Sequence, residues 1–563
     1  MLTASHMSDP RVLWAKHKDS MAEDFLHQQR QVARNPGLEF NDEVYNLALV
    51  AIEDLVFNMG GNPLGSYGLP APRHDSLHPL QTEMVRETSY NLDSLRKYVE
   101  ENEPKLLNEQ RAAYSLLVDQ VMHKVGGLYF LDAPGGTGKT FVLNLLLARV
   151  RMQKCVSLAV ASSGIAATLL AGGRTAHSSF KLPLDMATNE NPTCNITRSS
   201  GAGRLLQECR LIIWDECTMS HKRAYEALDR TLRDLRKNNT LMGGVVVVLA
   251  GDFRQTLPVI PRGTRADELQ ACLKASSLWQ KVMRMELRTN MRAVIFGDNS
   301  AGQFAHHLQQ LGDGKAPCGV DGKIDMSVIA NVVSCPQDLV QRVFPNIYTK
   351  FNDPAWLSER AILAPRNDDV NTINHLLLQK VPGETRTYQS VDGVTDVENA
   401  VHYPVEFLNS LNPPGTPPHL LHLKVGIPVM LLRNLEPPRL CNGTRLKVKQ
   451  LLRNCIEVTI LTGCARGEDV FIPRIPIIPS DMPFQFKRLQ LPVRLCFAMS
   501  INKSQGQSLR VVGVDLTNPC FSHGQLYVAC SRTGTKENLF VYAPGGRTEN
   551  VVYQEALRKF FYA

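Results

Sequence analysis

The chain has 563 residues, of which 44% are hydrophobic and 21% are charged, and its net charge at pH 7 is +8. This composition is typical of a folded protein of several domains and excludes a disordered chain, because each domain has enough apolar residues for its own core. It contains no apolar run of membrane-spanning length and no signal-peptide core, so we expect a soluble intracellular protein. The thirteen cysteines have no zinc-site spacing, which favours reduced thiols in the cytosol or nucleus.

Residues 1–105 are expected to form an N-terminal helical accessory region. The segment 10–57 shows helical periodicity, and its clearest apolar face consists of Val44, Leu47, Ala48, Ala51, Ile52 and Leu55. Residues 60–79 are rich in Gly, Pro and polar side chains and predict a loop, and a further helix is predicted near 91–100. No catalytic constellation occurs here, which favours a packing role.

A phosphate-binding loop is predicted at residues 133–140. An apolar strand, a glycine-rich turn and an apolar helix follow one another, which disfavours a chance glycine-rich loop. The residues assigned to the nucleotide are Gly135, Gly136, Thr137, Gly138, Lys139 and Thr140. Lys139 would contact the β- and γ-phosphates and Thr140 would bind Mg²⁺. Ala133 stands where the usual pattern has its first glycine, and we interpret it as a tolerated departure.

Two adjacent carboxylates follow the strand predicted at residues 211–214. Downstream of a phosphate loop, we assign Asp215 to the metal and Glu216 to the base that orients the attacking water, in preference to a solvated helix start. Upstream, a helix opens near residue 108, with Asn108 as its expected N-cap. The amide of Gln110 offers a donor and an acceptor to an adenine edge, an assignment that rests on position alone.

Three hydroxyl residues, a histidine and an aromatic residue after the strand predicted at 156–161 are candidates for nucleic-acid contacts. They are Ser162, Ser163, Thr175, His177 and Phe180. The hydroxyl groups suit strand phosphates and plain helix caps equally well, and Phe180 could stack on a base.

Strands alternate with helices over most of the remaining chain, which predicts a parallel α/β architecture. After the all-apolar strand at 245–250, Gln255 is placed to sense a γ-phosphate. Frequent prolines and short alternating runs between 381 and 492 indicate a small β-barrel insert. Arg292 and Arg532 are candidate arginine fingers that reach the nucleotide, although lone arginines are commonly surface ion-pair partners.

These motifs together resemble the Pif1-like branch of superfamily 1 (1B) DNA helicases. The resemblance runs from about residue 107 to the C-terminus and rests on eight ordered segments: 108–110, 135–140, 162–167, 215–216, 251–255, 289–292, 502–506 and 525–532. It implies two tandem RecA-like P-loop domains, at 106–292 (with a small insert near 172–205) and at 293–385 with 490–563. An SH3-like β insert is implied at 386–489. Asn502, Lys503 and Ser504 are implied DNA contacts, and Gly506 is assigned to nucleotide binding.

The resemblance implies an ATP- and Mg²⁺-dependent helicase that moves 5′ to 3′ on single-stranded DNA and unwinds duplex or forked DNA, acting as a monomer in the nucleus. The region before Gln110 is similar to the helicase portion of eukaryotic Helitron transposases, which implies a role in transposition or in DNA repair and recombination. The chain lacks their His-hydrophobic-His nicking motif, since His419 and His422 have the wrong spacing. We therefore expect a fragment or a stand-alone helicase, with a nicking partner elsewhere. The alternative is a nucleotide-gated clamp that binds single strands without unwinding.

Overall fold

The computed structural model describes residues 10–33, 37–58, 63–73, 84, 87–183, 186, 189–260, 263–291, 299–394, 403–479, 482 and 484–558. The chain divides into two compact units, Met1–Pro79 with Val381–Leu495 and Leu80–Lys380 with Cys496–Ala563. In the described part of the chain, no helix has both the length and the apolar content of a membrane span.

Two helices form the N-terminal part of the smaller unit, α1 (Pro10–Ala33) and α2 (Asp42–Asn58). They pack through a buried cluster that includes Trp14, Leu26 and Val44. The predicted apolar face of α2 is buried at Val44, Leu47 and Ala48, as its helical spacing requires. Leu55 of that face has a side chain outside the described set.

The first lobe of the larger unit is a six-stranded parallel sheet in the order β3-β2-β4-β5-β1-β6. Its strands are β1 (Gly127–Asp132), β2 (Ser157–Ala161), β3 (Arg174–Thr175), β4 (Leu211–Asp215), β5 (Val246–Gly251) and β6 (Met283–Glu286). The helices of this part are α3 (Leu92–Asn102), α4 (Asn108–Met122), α5 (Lys139–Met152), α6 (Gly164–Thr168), α7 (Ala176–Phe180), α8 (Gly201–Glu208), α9 (Lys222–Arg236) and α10 (Arg265–Ala271).

Both faces of the first-lobe sheet are covered, which explains its uninterrupted apolar strands. Along β1, Leu128 and Phe130 join one buried cluster, whereas Tyr129 and Leu131 join the cluster on the opposite face. Every residue of β5 is buried. The parallel α/β architecture predicted from these runs is confirmed.

The chain then enters the second lobe. This segment contains α11 (Asn299–Gly312), β7 (Ile324–Asp325), β8 (Asn331–Val332), α12 (Pro336–Val343), α13 (Ile347–Lys350), α14 (Pro354–Ser358), β9 (Arg360–Ala364) and α15 (Asn367–Lys380). Helix α15 is anchored to the sheet by Asn374, whose side-chain amide accepts from the N–H of Ala498 and donates to its carbonyl.

The predicted β insert is a set of antiparallel sheets in the smaller unit. Its elements are β10 (Arg386–Gln389), β11 (Val391–Val394), α16 (Val405–Ser410), β12 (Leu420–Leu423), β13 (Pro428–Leu431), β14 (Arg445–Leu451), β15 (Cys455–Ile460), β16 (Asp469–Pro473), β17 (Ile475–Ile477), β18 (Phe486–Gln490) and β19 (Val493–Leu495). The main sheet has the order β16-β15-β14-β13-β19, and smaller sheets pair β11-β18-β17 and β10-β12. The SH3-like designation stays a prediction.

A buried ion pair joins two strands of this insert. Asp392 and Arg488 lie directly opposite each other in the β11–β18 pair, and both side chains are fully buried. The guanidinium forms two hydrogen bonds to the carboxylate, at 2.9 and 2.6 Å, and others to the carbonyls of Pro417 and Leu408. A buried charge that loses its partner is costly.

Asp392→Ala is expected to destabilise the insert by about 3–5 kcal/mol, because Arg488 would keep its charge without a counterion. Urea unfolding of the full chain followed by circular dichroism measures this loss. The matched control is Glu468→Ala, which breaks the exposed pair with Arg439 and should cost about 0–1 kcal/mol. Equal losses in the two variants would contradict the buried-pair argument.

The last part of the chain completes the second lobe with β20 (Ala498–Ser500), β21 (Val511–Asp515), α17 (Gln525–Cys530), β22 (Leu539–Tyr542), β23 (Arg547–Thr548) and α18 (Gln554–Leu557). The sheet has the order β20-β9-β21-β22-β8 with parallel pairs. The apolar run 495–500 is divided between two sheets. Leu495 pairs antiparallel with Val429 in the insert, and the second-lobe strand starts at Ala498.

Candidate active site

The glycine-rich loop connects β1 to α5. Gly136 and Gly138 have φ of +89° and +80°, a region that residues with a Cβ rarely adopt. At Gly138 an added Cβ would lie 2.6 Å from Nε2 of Gln110. Ala133 is buried and its N–H donates to the carbonyl of Gly251, in a backbone conformation that does not need glycine. The loop therefore keeps glycine at two left-handed positions and tolerates alanine at its start.

Gln110 ties the start of α4 to this loop. Its Oε1 accepts from the N–H of Leu107 at 3.0 Å, and its Nε2 donates to the carbonyl of Thr137 at 2.9 Å. The expected N-cap at Asn108 is wrong: Leu107 is the N-cap residue and Asn108 is already helical. The side chain of Gln110, at position N3, accepts from the N–H of the N-cap residue, which is the second hydrogen bond of a capping box. Its role toward adenine stays a prediction.

The phosphate-loop lysine and the two strand-end carboxylates form one cluster. Nζ of Lys139 lies 2.6 Å from Oδ1 of Asp215 and 2.9 Å from Oε1 of Glu216, and both carboxylates are buried. Burial raises the pKa of Asp215. Burial opposes the charge of Glu216 as well, but the nearby charge of Lys139, with smaller contributions from Arg532 and Gln505, holds the pKa of Glu216 below its ordinary value. Glu216 is thus ionised at neutral pH, as a base requires.

Glu216 occupies a left-handed backbone position, with φ of +48° and ψ of +40°. Such a conformation is uncommon for a residue with a side chain and concentrates at functional sites. The N–H of Glu216 donates to Oδ1 of Asp215 at 2.8 Å, which holds the sharp turn after β4. Thr140, the other predicted Mg²⁺ ligand, is half-buried at the second position of α5.

Two further predicted residues reach the same region from other elements. Gln255 is buried, and its Oε1 has no hydrogen-bond partner among the described residues, while its role toward a γ-phosphate stays a prediction. Arg532 is buried in the second lobe, where it donates to the carbonyls of Val528, Ser504 and Gln507. Arg292 lies outside the described residues.

A cavity of about 220 Å³ lies beside the loop within the larger unit. Its lining includes Gly135 and Thr137 from the loop, Arg254 and Asn290 from the first lobe, and Ser531 from the second. The left-handed glycines and the lysine of the loop fit the phosphates of a nucleoside triphosphate, and the cavity lies next to them without including Lys139 or Gln255 in its lining. Mg²⁺ needs few protein oxygens besides phosphate, which Thr140 and Asp215 can supply.

Two residues near the cleft were missed by sequence reasoning. Gln505 donates from Nε2 to Oε2 of Glu216 at 3.2 Å. Arg254 lines the cavity and pairs with Asp313 at 2.7 Å and Asp252 at 3.3 Å. Both residues lie inside segments that carry the family resemblance, 251–255 and 502–506. These motifs could have pointed to them, but which side chain of each segment points into the cleft depends on the fold. Gly506, assigned to the nucleotide, has φ of +80° and lies near Ala166.

Most of the first-lobe residues predicted to contact DNA form hydrogen bonds within the protein instead. Oγ of Ser162 accepts from Trp214 and Ser220, and the side chains of Ser163 and Thr175 cap α6 and α7. The sequence left two roles open for these hydroxyls, contact with DNA phosphates and helix capping. The structure shows helix capping for Ser163 and Thr175. His177 is exposed and remains a candidate.

The proposed stacking role of Phe180 is wrong for this conformation. Its ring is fully buried and packs 5.6 Å from the ring of Trp214. Ser504 is also corrected, because it is fully buried and its hydroxyl donates to the carbonyl of Ile501. Asn502 and Lys503 of the same turn are half-buried and remain candidate strand contacts.

Phe180→Ala is expected to lower the free energy of unfolding by about 3–5 kcal/mol, because it opens a cavity against Trp214. Thermal or urea unfolding measures this loss. His177→Ala is the control, because His177 is an exposed residue of the same helix and its replacement should leave stability nearly unchanged. A folded Phe180→Leu variant should retain DNA affinity in a fluorescence-anisotropy titration, and a large loss of affinity without a loss of stability would restore the stacking role.

The two parallel-sheet lobes, the glycine loop and the Lys139–Asp215–Glu216 cluster define the class of phosphate-loop nucleotide-binding proteins with tandem α/β lobes. Comparison with known proteins narrows this class. Residues 105–321 match the family model for the PIF1-like helicase, and residues 406–451 match the 2B domain of the DNA helicase Pif1. These two segments are therefore similar to the corresponding parts of PIF1-like helicases.

Individual relatives agree with the family match. The chain is 27% identical over 432 residues to the ATP-dependent DNA helicase PIF1 of Xenopus laevis, covering 76% of this chain and 60% of that protein. It is 28% identical over 441 residues to the same-named protein of Danio rerio, covering 78% and 61%. The chain thus spans about three fifths of the length of these curated relatives.

Solved structures share the fold. Pif1 helicase from Candida albicans has a TM-score of 0.56 and 24% identity, with 80% of this chain and 97% of that chain covered. Bacteroides Pif1 in complex with ADP-AlF3 and single-stranded DNA has a TM-score of 0.57 and 23% identity, with 77% and 92% covered. At these identities the likeness supports the two-lobed α/β fold.

Proposed function

We propose that this chain is an ATP-dependent DNA helicase that moves 5′ to 3′ on single-stranded DNA and unwinds duplex DNA. The observation that carries the proposal is the buried cluster of Lys139, Asp215 and Glu216 beside the glycine loop. A loop that only binds nucleotide does not require an ionised base next to its lysine, whereas hydrolysis does.

The residues of the cleft have separate roles in ATP hydrolysis. The loop and Lys139 would bind the triphosphate, Thr140 and Asp215 would hold Mg²⁺, which supplies positive charge to the phosphates, and Glu216 would take the proton of the attacking water. Gln255 and Arg532 would meet the terminal phosphate, where positive and polar groups stabilise the developing charge, and Arg292 stays a predicted arginine finger. ATP supplies the phosphoanhydride bond whose cleavage drives movement of the lobes.

The proposed partners are single-stranded DNA and duplex or forked DNA, bound by a monomer. The relative solved with single-stranded DNA supports this substrate class. In this chain His177, Asn502 and Lys503 are the accessible candidates for strand contact. The proposal extends to a nuclear protein that serves Helitron-type transposition, with a nicking partner on another chain, or DNA repair and recombination. Binding should weaken with salt, because phosphate contacts release counterions.

Strand displacement on two tailed duplexes tests the motor. Duplexes with a 5′ tail should be unwound in the presence of ATP and Mg²⁺, and matched duplexes with a 3′ tail should not. The competing clamp predicts ATP-dependent strand binding and strand-stimulated hydrolysis with displacement of neither duplex. Unwinding of the 3′-tailed duplex alone would reverse the assigned polarity.

A further inference from the structure

The side chain of Gln505 forms a bridge between the two lobes. It follows the turn Ile501–Ser504 of the second lobe and is 2% exposed. Its Nε2 donates to Oε2 of Glu216 at 3.2 Å, and its Oε1 accepts from the hydroxyl of Thr256 at 2.7 Å. Thr256 and Glu216 both belong to the first lobe and are buried. One second-lobe amide is therefore held at both ends by first-lobe side chains.

The chemistry of the three groups fixes the direction of both hydrogen bonds. An ionised carboxylate only accepts, so the group of Gln505 that faces Glu216 must be its NH₂. The amide oxygen then faces Thr256, whose hydroxyl must donate. Since a reversed amide would place two acceptors together at Glu216, Thr256 selects the productive orientation of Gln505.

The carboxylate of Glu216 is consequently held from both sides. Its Oε1 accepts from Lys139 at 2.9 Å, and its Oε2 accepts from Gln505. A base must be aligned with the proton that it abstracts, and small rotations of the carboxylate cost turnover. The Lys139 contact comes from the phosphate loop itself, whereas the Gln505 contact exists only when the second lobe is in place.

We propose that Gln505, oriented by Thr256, is a positioning residue that aligns Glu216 for hydrolysis and makes that alignment depend on the approach of the second lobe. The inference rests on the proposed ATPase activity. Gln505 reaches the reaction through Glu216, so its loss should change turnover more than nucleotide binding. Hydrolysis by isolated or separated lobes would be slow for the same reason.

Gln505→Met tests the bridge, because methionine keeps the length of the side chain and removes both hydrogen bonds. The expected result is a fall in strand-stimulated kcat on the order of 10- to 100-fold, the effect of losing a hydrogen bond to a charged group, with KM for ATP within about twofold. Thr256→Val should lower kcat in the same direction, and Thr256→Ser should restore it because serine keeps the donor.

Thr218→Val is the matched control for Thr256→Val. The hydroxyl of Thr218 is buried but has no hydrogen-bond partner among the described residues, so the same replacement removes no bond. This variant should keep the wild-type kcat. Melting temperatures of all variants report whether the fold is retained, and the Thr256 pair carries the test if Gln505→Met unfolds.

The inference is overturned if a folded Gln505→Met keeps kcat within twofold of wild type, if Thr256→Val is as active as Thr256→Ser, or if the loss appears in KM for ATP and not in kcat. Failure of the proposed function has a different signature, because the wild-type protein itself would then show no strand-stimulated ATP hydrolysis.

Discussion

Replacement of Lys139 by alanine is expected to abolish strand-stimulated ATP hydrolysis, with a loss of at least about 10³-fold. Lys139 would supply positive charge to the phosphates, and in the structure it also neutralises Asp215 and Glu216. Colorimetric phosphate release in the presence of single-stranded DNA measures the effect. Binding of single strands should be largely retained, because the candidate strand contacts lie elsewhere.

Lys139→Ala is also expected to destabilise the folded protein. It leaves two buried carboxylates without their shared cation, so the free energy of unfolding should also fall, by about 3–5 kcal/mol. Glu216→Gln provides the comparison, since it removes the base and keeps its shape; its turnover should fall by about 10²–10⁴-fold, with a smaller loss of stability than Lys139→Ala because Lys139 keeps its ion pair with Asp215. Substantial hydrolysis by a folded Lys139→Ala protein would refute the assigned site.

The nucleotide site could be predicted closely because its chemistry is local. The loop needs glycine at positions 136 and 138 for left-handed backbone conformations, and both positions have them. Asp215 ends a buried strand adjacent to β2 and β5 in a parallel sheet, so the sheet places it at the same edge as the loop. The predicted secondary structure and the spacing of these residues were therefore sufficient to place them in the nucleotide site.

Other assignments failed because they depend on the direction of a side chain. Phe180 lies on a five-residue helix whose buried face could not be told from its exposed face, and the ring turns toward Trp214. Gln505 is one of several polar residues in a short turn, and its importance arises from Glu216 and Thr256, which are distant in sequence. Such contacts require the tertiary structure.

Arg532→Ala is expected to lower ATP turnover by about 10³-fold or more, the effect of removing an arginine that stabilises the transferred phosphoryl group. Nucleotide affinity should change much less, because that charge acts chiefly in the transition state. Steady-state hydrolysis and binding of a fluorescent ATP analogue separate the two quantities. Loss of the guanidinium also removes a charge that lowers the pKa of Glu216, so the acid limb of the pH–rate profile should move to higher pH.

Arg532→Lys should not rescue activity. The guanidinium donates from Nε to the carbonyl of Val528 and from Nη1 to those of Ser504 and Gln507, a fork that one ammonium cannot reproduce. Arg510→Ala is the matched control, since Arg510 is a largely exposed arginine of the same lobe. Turnover of Arg532→Ala within tenfold of this control would show that Arg532 braces the turn that carries Gln505 and does not act on the nucleotide.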